Sequence, residues 1–148
     1  MIDIIDAKSI PTPKLEHIFL GTVKRGKVSG YHCDKNFGDE RVYAEKRLYP
    51  KSKRVITVNA GQKLFEAVVR DKASGGIKKE NHGKSSFFPE GWTRQDVVDC
   101  IDRLKVSGSV IKKYGAINGI NMHDVCLDKK TGLVIVNNRA GAFPLLKY

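Results

Sequence analysis

Apolar residues recur along this chain in two rhythms. Val97, Val98, Ile101 and Leu104 fall at the three- and four-residue steps of a helix. They follow Thr93, which suits an N-cap, and Asp96, which supplies an acidic first turn. The pattern predicts a helix that begins after Thr93 and ends near Gly108. Elsewhere the runs are short and β-prone. Residues 54–59 (RVITVN) and 63–70 (KLFEAVVR), separated by Ala60, Gly61 and Gln62, predict a hairpin. Residues 117–128 and 133–138, separated by the turn 128–132 (DKKTG), predict a second, and 140–144 close the chain as a further strand. Residues 15–20 (LEHIFL), closed by Gly21, fit a short strand or the end of a short helix, and a basic turn at 24–27 leads into VSGYHC. Pro11 and Pro13 end the first ten residues, which read as a lead-in or short helix. The expected organisation is a lead-in over 1–13 and one domain over 14–148, of α+β class with antiparallel sheets.

A length of 148 residues suits one hydrophobic core, and no apolar run approaches the roughly 20 residues that span a bilayer. Apolar residues at 41% and charged ones at 29% exclude a disordered chain. The charge balance is unusual: 27 Lys and Arg against 16 Asp and Glu give +11. Such a surplus attracts polyanions, because each neutralised phosphate releases counterions, so RNA or DNA is the expected partner. The densest basic stretch, 46–54 (KRLYPKSKR), interleaves cations with Tyr49 and follows Tyr43, as a groove for single-stranded nucleic acid would. An exposed lysine-rich loop explains the same residues. Cys33, Cys100 and Cys126 lie far apart without a Cys-x-x-Cys pair, which speaks against a zinc knuckle or a disulfide framework; they read as small buried hydrophobes, with a Cys33–Cys126 bridge left open. The N-terminus lacks a signal-peptide pattern, so export would be as part of something larger or by a dedicated machine.

Several chemistries fail on spacing. GIKKENHGKSS approaches a phosphate-binding loop, but six residues separate Gly76 from Gly83 where four are needed. His32 and Cys33 are adjacent, and neighbours on a strand point to opposite faces. His17, His32, His82 and His123 show no metal-ligand spacing, so neither a metal nor another cofactor is called for, and nothing points to stimulation by Mn²⁺. Two histidines and a lysine in a basic domain do fit one reaction, the attack of an RNA 2′-hydroxyl on its own phosphodiester. A neutral imidazole takes the proton, a protonated one returns a proton to the leaving oxygen, and a cation offsets the phosphorane charge.

The segment LEHIFLGTVKRGKVSGYH resembles the signature of the EndoU family of endoribonucleases, with His17 and His32 fifteen residues apart and Gly21 and Gly30 in place. HGKSSFFPEGWTRQDVVDCI resembles the family's bacterial branch and aligns Lys84 with the third catalytic group. The resemblance implies His17 as general base and His32 as general acid, with the reverse order open, Lys84 as the phosphate-stabilising cation, and Gly30 as a backbone donor to a phosphate oxygen. It implies Thr93 as a hydroxyl that helps hold the base. Where the family has Tyr-Pro this chain has Phe143-Pro144, so the ring that packs on the nucleotide lacks a hydroxyl and uridine preference is in question. His82 is a reserve candidate and His123 reads as structural. The expected protein is an EndoU-type toxin domain carried by a larger effector of contact-dependent inhibition or similar delivery. It would cut RNA, tRNA foremost, in a target-cell cytoplasm, without spanning a membrane, and pair with an acidic immunity protein. The rival expectation is a non-catalytic basic RNA-binding module.

Overall fold

Pro11 lies in extended backbone and starts the first helix, α1 (Thr12–Phe19), whose first turn also accepts Pro13 because its amide has no intrahelical partner there. Of the two alternatives for residues 15–20 the helix is the one found, and it buries Leu15, Ile18 and Phe19. The computed structural model describes residues 1–49, 63–105, 110–114 and 123–146. After Gly21, strands β1 (Thr22–Lys24) and β2 (Lys27–Ser29) form a hairpin at the expected basic turn. Arg25 and Gly26 both have positive φ, 50° and 75°, as a two-residue hairpin loop of this twist requires.

The second sheet has the order β3 (Val42–Ala44), β4 (Phe65–Asp71), β5 (Lys84–Phe87), all antiparallel. In β4, Phe65, Ala67 and Val69 face inward and their neighbours are half-buried, the period-two signature of a strand with one covered face. Residues 54–59, expected as its hairpin partner, lie outside the described residues, and the neighbours found for β4 are β3 and β5. No strand is predicted at β5, where Lys-Ser-Ser carries little β signal and pairing with β4 decides the conformation. The third sheet runs β6 (Val110–Tyr114), β7 (His123–Leu127), β8 (Val134–Asn138), β9 (Ala142–Pro144). The turn between β7 and β8 falls at 128–132 as expected, with Gly132 N–H and Thr131 N–H donating to the Asp128 carbonyl.

Helix α2 (Arg94–Arg103) has Thr93 at its N-cap in a capping box with Asp96. It ends at Arg103 with Leu104, the last member of its apolar stripe, as C-cap, short of the predicted Gly108. Its buried face joins α1 to the third sheet in a core that includes Ile18, Phe19, Val97, Ile101, Cys126 and Ile135. A second cluster, with Phe65 stacked on Phe87 and Tyr31 edge-on to the same ring, lies beneath the other two sheets. The N-terminal residues lie on α2: Ile5 and Asp6 N–H donate to Gln95, and Ile10 is part of the core. All three cysteines are buried and free, so the Cys33–Cys126 bridge left open above is absent.

Arg94 ties these parts together. Its guanidinium is fully buried, donates to both carboxylate oxygens of Asp39 at 2.7 and 2.8 Å and reaches Glu40, the Phe19 carbonyl and the Ile2 carbonyl. Its hydrogen bonds hold the Asp39 carboxyl below the usual carboxylate range. Removing one partner of a buried ion pair strands the other charge. Arg94→Met is therefore expected to lose about 3–5 kcal/mol of stability by urea unfolding, and Arg94→Lys to recover only part of it, because an ammonium has no planar fork to match Asp39.

Candidate active site

Helix α1 delivers the first candidate residue. His17 stands in its last turn, with Nδ1 2.9 Å from the Thr22 hydroxyl of β1. A helix end leaves its last four carbonyls without helical partners. Here the tertiary structure supplies them: His17 O accepts from Tyr31 N–H and Ile18 O from His32 N–H, both at 2.8 Å, Leu20 O from Arg41 N–H, and Phe19 O from Arg94. The segment carrying His32 is thereby stitched to the helix turn carrying His17. The approach is so close that a Cβ on Gly30, at φ +77°, would lie 2.2 Å from the His17 carbonyl oxygen. On the other side of the imidazole, a Cβ on Gly141 would lie 2.7 Å from its Cδ2. The ring thus fits between two glycine backbones.

His32 is buried. Its Nδ1–H donates to the Ser86 carbonyl of β5 at 2.8 Å, and its ring stacks on Phe143 of β9 with centroids 5.2 Å apart. The hydrogen bond selects the tautomer: a carbonyl only accepts, so Nδ1 keeps the proton and Nε2 keeps its lone pair. Both imidazoles line one cavity of about 360 Å³, together with Gly30, Lys78, Lys84 and Phe143. The structure therefore brings five of the six expected residues together, His17, His32, Gly30, Lys84 and Phe143. Thr93 is not among the lining residues; its hydroxyl is engaged in capping α2. His82 is exposed, outside the cavity lining, and His123 opens β7.

Lys78 was not singled out by sequence. It is buried, and its Nζ donates to Ser85 Oγ at 2.9 Å, which in turn donates to the Gly30 carbonyl at 2.9 Å. Among the described residues this is its one side-chain hydrogen bond, leaving two N–H donors for a bound group. Lys84, by contrast, is one-third exposed, with Glu66 3.7 Å away. Lys78 and Lys79 are indistinguishable in sequence; pairing of Ile77 with Arg70 beside β4, and of Lys78 N–H with the Val69 carbonyl, turns one inward and leaves the other in water. Beside them Asn81 and His82 both occupy the left-handed region at φ 50° and 56°, a strained turn at the cavity rim of the kind that accumulates at functional sites.

Burial, then the Lys78 ammonium, lowers the pKa of both histidines. His17 falls below its ordinary 6.5, with Glu80 opposing and Lys24 reinforcing the shift. Complete burial, Lys78 and His17 take His32 down to about 3 against the opposing Ser86 hydrogen bond. Among the described residues no three His, Cys, Asp or Glu side chains cluster as metal ligands, and no helix is long and apolar enough to cross a membrane.

An anion drawn between Lys78 and Lys84 would lie against two imidazoles of different proton affinity, so the cavity suits acid–base cleavage of a phosphodiester. The α+β domain with this cavity is of the nuclease class. The chain belongs to the bacterial EndoU nuclease family, whose model matches residues 12–141 of the 148. The family is one of endoribonucleases, and RNA is the substrate its membership implies. No match was found among curated proteins or among solved structures.

Two measurements test the geometry. Gly30→Ala combines a left-handed backbone with a clash on the His17 carbonyl and is expected to lose about 2 kcal/mol or more by urea unfolding, with the His17 ring resonances displaced. In an NMR titration His17 should protonate below pH 6.5; in Lys78→Met, which removes a positive charge, it should protonate at higher pH, and an unmoved titration would show that Lys78 does not act on the site.

Proposed function

We propose that the domain cleaves RNA by transesterification, with His32 as general base, His17 as general acid and Lys78 with Lys84 as the cations that hold the phosphate. His32 Nε2 takes the proton from the 2′-hydroxyl. The 2′-oxygen bonds to phosphorus, the bond from phosphorus to the 5′-oxygen breaks, and protonated His17 gives that oxygen its proton. The products are a 2′,3′-cyclic phosphate and a 5′-hydroxyl, and the histidines finish with their protons exchanged. The observation that carries this reading is the Ser86 carbonyl on His32 Nδ1, which leaves the lone pair on Nε2 to accept the proton. It reverses the order of roles that the family resemblance suggested first. His17, less deeply depressed than His32 and held by a hydroxyl able to accept from Nδ1–H, is the better proton carrier.

Gly30 offers its backbone N–H to a phosphate oxygen from the cavity wall. Phe143, already stacked on His32, presents an apolar edge to the nucleotide without a hydroxyl to select a base. The reaction as drawn uses imidazoles and ammonium groups alone and needs no metal ion. Membership in the bacterial branch and a charge of +11 support a toxin domain carried by a larger effector, acting on tRNA or other RNA in a target-cell cytoplasm and neutralised in the producer by an acidic immunity protein. Residues 50–54 of the basic stretch 46–54 lie outside the described residues, and for its described part a purely RNA-binding role has less support. Arg47 pairs with Asp34 and Glu90 and lies over the Phe65 ring, and Tyr49 donates to Glu90, so these side chains are committed within the fold.

The decisive experiment incubates purified protein with tRNA and total RNA in EDTA and maps the new ends. Cyclic-phosphate and 5′-hydroxyl ends are expected. His32→Ala or His17→Ala should reduce cleavage by about 10²–10⁴-fold while binding of a 2′-O-methyl oligonucleotide changes little. RNA that is bound but never cut, or ends bearing a 3′-hydroxyl, would overturn the proposal.

A further inference from the structure

His17 separates two cavities. The second, a larger groove of about 680 Å³, has His17 but not His32 in its lining, together with Lys14, Thr22, Lys24, Ser29, Arg41 and Arg139. His17, Ser29 and Ala140 line both spaces, so the groove continues the candidate active site. It is built where the start of α1, the β1–β2 hairpin and the loop between β8 and β9 meet. Four of its side chains are cationic. The single carboxylate in its lining, Glu16, is taken by Arg41 at 2.6 Å. Among the described residues Lys14, Lys24 and Arg139 have no carboxylate within 4 Å; Lys14 Nζ donates to the Asn137 amide oxygen at 2.6 Å, which leaves its charge uncompensated. Elsewhere on the domain several cations are paired, including Arg47, Arg70, Arg94 and Arg103. Unpaired cations facing one open groove, with hydroxyls between them, are complementary to a run of phosphodiesters and would repel one another without an anion.

We propose that this groove binds the RNA strand on the 3′ side of the scissile phosphate, the strand that leaves with the 5′-hydroxyl. The direction rests on the role given to His17 above. The acid stands beside the 5′-oxygen of the departing nucleotide, so whatever continues past His17 away from His32 is the departing strand. Lys14, Lys24 and Arg139 then hold the one or two phosphates that follow the cut, and Thr22 and Ser29 offer hydroxyls to the same oxygens. Such contacts position without reading sequence, so they raise affinity for any RNA long enough to reach them.

The test uses oligoribonucleotides with one cleavable ribose among 2′-O-methyl residues, extended by zero to three nucleotides on either the 3′ or the 5′ side. For the wild-type protein each of the first two 3′ additions is expected to lower KM by about threefold to fivefold, the upper range for an exposed charge pair. Equivalent 5′ additions should do markedly less. In the double variant Lys24→Ala, Arg139→Ala, both positions being exposed, the ratio of KM between the unextended and 3′-extended substrates should fall towards one. The salt dependence of wild-type binding should steepen with 3′ extension by a slope of about 0.7 for each phosphate engaged. Product formed with no 3′ effect, with a 5′ effect instead, or with a 3′ effect that survives in the double variant would overturn the groove assignment and leave the cleavage reading standing. Absence of cyclic-phosphate product from every oligonucleotide would overturn both.

Discussion

Everything at this site depends on how the C-terminal end of α1 is satisfied. Four backbone carbonyls, of His17, Ile18, Phe19 and Leu20, leave the helix without helical partners, and a helix end buried that way would be costly. The chain answers with amides from residues 31, 32 and 41 and with the Arg94 guanidinium. Two of those bonds tie the segment carrying His32 to the helix turn carrying His17, and Arg94 fixes the acidic loop at Asp39 and Glu40 to the same helix end. The junction works only because Gly30 has no Cβ and, like Tyr31, adopts a positive φ, at 77° and 69°. Tyr31 holds this strained backbone by burying its ring against Phe87 and donating its hydroxyl to Asp34.

From that junction the electrostatics follow. A half-buried and a buried imidazole beside an ammonium resist protonation, and the one more deeply buried resists more. The Ser86 carbonyl then makes the neutral form of His32 a specific tautomer, and β5 that carries Ser86 is held in place by β4 and by the Ser85 link to Gly30. Strand β5 thus serves the cavity three times, through Lys84, Ser85 and Ser86. Lys78 is held on the same edge of β4 that β5 pairs with, so the sheet presents cations while the helix junction presents imidazoles. In the groove at the α1 and β1–β2 junction, Lys14, Lys24 and Arg139 have no carboxylate partner among the described residues, in contrast to the cations built into the fold.

The parts legible in the sequence are those governed by local physics. Thr93 and Asp96 form the capping box their three-residue spacing implies, the apolar stripe of α2 is buried, and the Asp128–Gly132 turn returns the chain because its residue types favour that backbone. The fifteen-residue interval between His17 and His32 likewise pointed to one site, and both side chains reach one cavity. What was not legible arises from pairing across long separations. Lys-Ser-Ser becomes a strand because β4 offers it a ladder, and Lys78 differs from Lys79 only through which face of that ladder each meets. Thr93 is drawn by the same hydroxyl towards two roles, and the helix N-terminus is the partner it has.

The sequence by itself determined the α+β class, the helix with its cap, the basic surplus and the pair of histidines, since propensity, periodicity and charge act over a few residues or are simple sums. Only the tertiary structure decided which imidazole is the more deeply buried, which of its nitrogens keeps the proton and which lysine is buried beside the pair. Those properties depend on desolvation and on hydrogen-bond partners such as the Ser86 carbonyl, fifty-four positions from His32, which no local pattern encodes.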